Sequence, residues 1–92
     1  MVKVKASKPI SELKRGDRVK VDGKELEIDA HYVFDEYKGT KEMLIELFDP
    51  KSNEDDGDFQ IRYFDDQVET SLKLYELKTI LYEEVEIKGI EW

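Results

Sequence analysis

Apolar residues recur at every second position through much of the first half of the chain. Val19 and Val21 alternate with charged residues, and after Asp22-Gly23 the alternation resumes at Leu26, Ile28, Ala30, Tyr32 and Phe34. A period of two marks strands with one apolar and one wet face, the antiparallel kind. Asp-Gly between two such runs supplies the positive-φ pair of a type I′ turn, so a hairpin is predicted over 19–28. Its long second strand would bury Leu26, Ile28, Ala30, Tyr32 and Phe34. Glu25, Glu27, Asp29, His31 and Asp35 would face water, with Val33 as the exception. Tyr37-Lys38-Gly39-Thr40 is the next turn, and Met43, Ile45 and Leu47 pattern a third strand. Asp49-Pro50 stops it, because proline cannot donate to a ladder. Residues 51–58, KSNEDDGD, read as a polar loop, and Phe59, Ile61 and Tyr63 begin a fourth strand.

Residues 66–83 carry two patterns at once. Val68, Leu72, Tyr75, Thr79 and Tyr82 fall at helical spacing, and Asp66 followed by Glu69 fits a capping box. Leu72 and Leu74 alternate, however, and Thr70, Ile80 and Tyr82 favour strand. Strand–turn–strand is the preferred reading. Further on, Leu81, Val85 and Ile87 support a last strand that Gly89 breaks, and Val2 and Val4 allow an edge strand at the start. The expected fold is mostly β, a small SH3-like antiparallel barrel of five to six strands in a single domain spanning 1–92. The alternative is α+β, with a helix at about 67–82.

Composition narrows the function classes. The 92 residues include no cysteine, so disulfides, thiolate chemistry and cysteine-based zinc sites are excluded. With no apolar leader or membrane-length apolar run either, a cytoplasmic location is expected. The abundance of Lys and Glu without Cys resembles a thermophile's composition. A net charge of −8 argues against direct nucleic-acid binding, which draws its affinity from Lys and Arg on phosphates, and suits a basic protein or peptide partner.

Two segments resemble known modules. The run LKRGDRVKVDGKELEI (13–28) is similar to the opening of small SH3-like barrels, including KOW-type and Tudor-type modules and the N-terminal barrel of the hypusine-carrying translation factor. The run DFQIRYFDDQVETSLKLYELKTI (58–80) resembles the second half of Tudor and Agenet domains, at Tyr63, Asp65, Asp66, Glu69, Leu74, Leu77 and Lys78. Two positions depart from these patterns. The turn YKGTKEM holds Lys38 and Lys41 but no histidine, so hypusination is not expected, and Gln67 stands where a Tudor turn usually has glycine.

Little in the chain points to catalysis. No serine sits in a nucleophile elbow, the five glycines are isolated, and the single histidine, His31, is expected on the outward face. A non-catalytic binding or adaptor module is therefore expected, in translation or nucleic-acid machinery if the resemblance holds. An aromatic ring flanked by carboxylates suits a cationic guest, and Phe64, Asp65, Asp66 and Tyr75 could form such a partner-binding set. The alternative is an acidic protein binding calcium or another divalent cation. Its ligands would be Glu54, Asp55, Asp56 and Asp58, widened by Asp65 and Asp66. No other cofactor is implied, and the spacing is not that of an EF-hand. A small enzyme using paired carboxylates ranks last.

Overall fold

A computed structural model describes residues 2–51 and 59–92. Its organising element is the Asp22-Gly23 turn, where both residues take positive φ (48° and 86°), as the sequence predicts. The turn joins β2 (Arg18–Val21) to β3 (Lys24–Tyr37), and Val19 faces Leu26 across the pair. Antiparallel neighbours follow in chain order: β4 (Thr40–Phe48), β5 (Phe59–Phe64), β6 (Lys73–Lys78) and β7 (Leu81–Val85). The last strand, β8 (Gly89–Glu91), returns to pair antiparallel with β2. It also pairs in parallel with β1 (Lys3–Lys5). Asp22 locks this return, accepting the Lys88 and Gly89 N–H groups on its carboxylate and donating its own N–H to the Gly89 carbonyl.

The result is mostly β, but not the closed barrel of five to six strands that the alternation suggests. Among the described residues eight strands form one sheet in the order β1-β8-β2-β3-β4-β5-β6-β7, and it does not close, leaving β1 and β7 as edges. Gly89 does not end the strand structure; it begins β8. Three-residue strands such as β1 and β8 are too short for alternation to show, because the partner supplies their pairing.

The helical alternative over 67–82 reduces to one turn, α1 (Val68–Ser71). Leu72 and Leu74 are both buried, and only extended backbone aims both at one core. Asp66 forms no capping box. Gln67 precedes the helix without a side-chain cap, and Asp66 instead accepts the Thr40 hydroxyl at 2.6 Å.

The core fills one face of the sheet. Val19, Leu26, Ile28, Ile45, Leu47 and Ile61 are each at most 1% exposed there. The segment before β2 covers this face with Ile10, in a 3₁₀ turn at Ile10–Glu12, and with Leu13. Burying a side chain of this size contributes about 1.5–3 kcal/mol, so these six and their neighbours account for much of the stability of so small a domain.

Two irregularities in β3 overturn the predicted assignment of its faces. Ile28 pairs with Leu47 but Ala30 with Glu46, and Val33 pairs with Met43 but Asp35 with Glu42. Each step inserts one extra residue, Asp29 and then Phe34, as a β-bulge. A one-residue insertion exchanges the faces of everything beyond it. His31 therefore sits opposite Ile45, on the core side, and Tyr32 sits opposite Leu44, on the outer side. The expectation that Tyr32 and Phe34 are core residues is corrected: they are 43% and 48% exposed. His31, expected to face water, is half-buried. Its Nδ1–H donates to the Leu13 carbonyl at 2.7 Å and its Nε2 accepts the Tyr63 hydroxyl at 2.7 Å.

Candidate functional site: an aromatic outer face around Arg62

The outer face of β3–β7 takes its side chains from the positions the core does not use. On β5, Phe59, Ile61 and Tyr63 point inward, so Gln60, Arg62 and Phe64 point outward, opposite Glu46, Leu44 and Glu42 of β4. On β6, Tyr75 is the residue opposite Gln60. The shifted half of β3 adds Tyr32 and Phe34. Among the described residues no element packs over these rings.

Arg62 is the centre of the face. Its guanidinium lies 4.1 Å from the Tyr75 ring centroid and 4.8 Å from that of Phe34. Gln60 orients it from the side, its Oε1 accepting Nη2–H at 2.8 Å and Nε–H at 3.2 Å. A guanidinium suits this place because it is flat, weakly hydrated and able to stack while still donating in its plane. No ion pair to Arg62 occurs among the described residues. Tyr32 borders the cluster, and its hydroxyl pKa is raised by partial burial and by the neighbouring Glu46 carboxylate. Leu44, 1% exposed, forms the floor between β3 and β5.

The four residues expected to form a cationic-guest site divide into two pairs. Phe64 and Tyr75 line one cavity of about 210 Å³ beside Arg62 and Lys73. Phe64 is half-buried outside the core and tilts against Tyr37, with centroids 5.8 Å apart. Asp65 and Asp66 are turned toward the start of β4. Asp65 Oδ1 accepts the Lys41 N–H and the Thr40 hydroxyl, both at 3.1 Å. The Lys41 N–H chiefly, with the Thr40 hydroxyl, holds the Asp65 carboxyl below its ordinary pKa, outweighing the opposite push of partial burial. The cation on the Tyr75 ring is thus the chain's own Arg62, and the two carboxylates serve the β4–β5 junction.

The proposed calcium ligands Glu54, Asp55, Asp56 and Asp58 lie outside the described residues. Among the described residues no group of three or more histidine or carboxylate side chains could hold a metal ion. No described helix is long and apolar enough to cross a membrane.

Sequence pattern alone does not single out Arg62 and Gln60, because their environment depends on Phe34, which the bulge at Asp29 turns outward. The usable signal was the regular alternation of β5, which sets Gln60, Arg62 and Phe64 on one face. Compared with family models, with curated proteins and with solved structures, the chain gives no match.

Proposed function

We propose that this protein is a non-catalytic binding module that engages a basic protein partner through the outer face of its sheet. One observation carries the reading: aromatic rings and a stacked arginine are gathered on a sheet face that nothing described covers. Aromatic residues and arginine are the residue types that concentrate binding energy at protein interfaces, because they desolvate large areas at low entropic cost. Rings already packed around Arg62 lose less freedom on binding than loose side chains would. The charge of the molecule supports the choice of partner. Glu42, Glu46 and Glu84 flank the rings, and the whole chain carries −8, which steers a basic surface toward the face. An adaptor role in translation or nucleic-acid machinery, as SH3-like modules have, fits such a partner.

Affinity capture from source lysate tests the reading, comparing the wild type with a Phe34→Ala/Tyr75→Ala variant at low and moderate salt. A basic protein should be retained by the wild type, depleted with the variant and weakened at the higher salt. Equal retention by both proteins, or no specific retention by the wild type, would overturn the assignment of this face.

A further inference from the structure

A cavity of about 330 Å³ opens between the N-terminal segment and α1. Its walls are apolar: Val4, Pro9, Ile10, Val68 and Trp92. Two carboxylates, Asp65 and Glu69, also line it. From this juxtaposition we infer that the cavity is a docking site for a lysine side chain of a basic polypeptide, the alkyl stem on the apolar walls and the ammonium between the Trp92 ring and the two carboxylates. The inference rests on the reading of this chain as a module for basic partners, and it adds a second contact point that neither Phe64 nor Tyr75 lines.

The site is built before any guest arrives. Trp92 is held at three points. Its Nε1–H donates to the Lys8 carbonyl at 2.7 Å, its N–H donates to Lys5 at 3.1 Å, and its carbonyl accepts from Ser7 at 2.8 Å. Tryptophan offers the strongest π face for a cation, and a fixed ring costs no ordering on binding. Asp65 is equally fixed through Oδ1, while its Oδ2 has no partner among the described residues. Among the described residues Lys8 is the one cation lining the cavity, and its Nζ already pairs with Asp17 at 3.2 Å. With that charge matched, Asp65 and Glu69 leave the cavity negative. An ammonium on an aliphatic stem meets both demands, because lysine packs its methylenes on apolar surface while its head stays with polar groups.

Trp92 is the sole tryptophan, so intrinsic fluorescence reports directly on the cavity. A tri-lysine peptide titrated at low salt should change the emission saturably, and the same peptide with acetylated lysines should not. Glu69→Gln and Asp65→Asn should each weaken the response, by roughly tenfold where the lost contact is a charge-assisted hydrogen bond. Glu69→Gln is the cleaner variant, since Glu69 is exposed and Asp65 also braces β4. Circular dichroism on both confirms that the fold is kept. An unsaturable response, an equal response to the acetylated peptide, or no effect of Glu69→Gln would overturn the site. Phe34→Ala should leave the tri-lysine response unchanged. A captured partner that needs Phe34 but ignores Glu69→Gln would therefore remove this cavity and leave the outer-face reading standing.

Discussion

Strands β3 to β6 build two unlike surfaces from alternate residues of the same segments. On the inner face Ile45, Leu47 and Ile61 are at most 1% exposed, and the segment around Ile10 and Leu13 closes over them. On the outer face Tyr32 and Phe34 stand 43% and 48% exposed around a stacked arginine. The inner face is mostly aliphatic because it fills a closed volume in which each polar atom, such as the Tyr63 hydroxyl held by His31, needs a partner. The outer face gathers aromatic rings around Arg62 with Glu42, Glu46 and Glu84 at its rim and no cover among the described residues, a composition that folding alone does not demand. Folding is served chiefly by the inner face, with Leu44 and Gln60 the buried residues of the outer one, and the exposed rings there are left for the proposed binding surface.

The sharpest test of that contrast is stability. Ile45→Ala should cost about 2–5 kcal/mol, the range for emptying a closed aliphatic site. Phe34→Ala should cost under about 1 kcal/mol, since the ring is half in water and loses chiefly its contact with Arg62. Urea unfolding of the two variants measures both. Equal losses would mean that the outer face is a second core, and the contrast would fail.

Tyr63 sharpens the comparison from the inner side. Its hydroxyl is its one polar atom in the core and is satisfied by His31 at 2.7 Å. Burial chiefly, with the charge of Asp65, pushes its pKa from 10.0 up to about 12. The unfolded chain therefore ionises at this position first as pH rises. The stabilising contribution is complete below about pH 10 and is lost as pH climbs through about 12. Tyr63→Phe should flatten that alkaline limb. Near neutral pH it should cost about 1–3 kcal/mol, because His31 Nε2 loses its donor. Melting temperature from pH 7 to 12 would show both effects. An unchanged limb would mean the hydroxyl is not held in the core.

The smallest effect belongs to Asp65, at the edge between the two faces. Its folded pKa lies below the ordinary 3.8, so its contribution is present above that value and is lost as pH falls through the depressed one. Asp65→Asn should lower stability slightly at pH 6 and lessen its decline toward pH 2, as followed by thermal melts. An acid limb identical to that of the wild type would show that the Lys41 and Thr40 contacts do not hold in solution.

Local chemistry in the sequence determined the mostly β class, the Asp22-Gly23 hairpin, the third and fourth strands and the stop at Asp49-Pro50, and it left residues 67–82 open between helix and strand. Each follows from a period-two pattern or from a turn residue with one preferred geometry, and neither needs knowledge of distant partners. The tertiary structure alone decided the rest. Whether β3 bulges at Asp29 and Phe34 depends on its register with β4, and alternation within β3 cannot register an inserted residue. That choice sent His31 inward to Tyr63 and Tyr32 and Phe34 outward to Arg62. The three-residue strands β1 and β8 exist only through each other and β2. Trp92 lines one cavity with Asp65 and Glu69 because β8 returns to pair with β1, a proximity between residues far apart in sequence that no local pattern encodes.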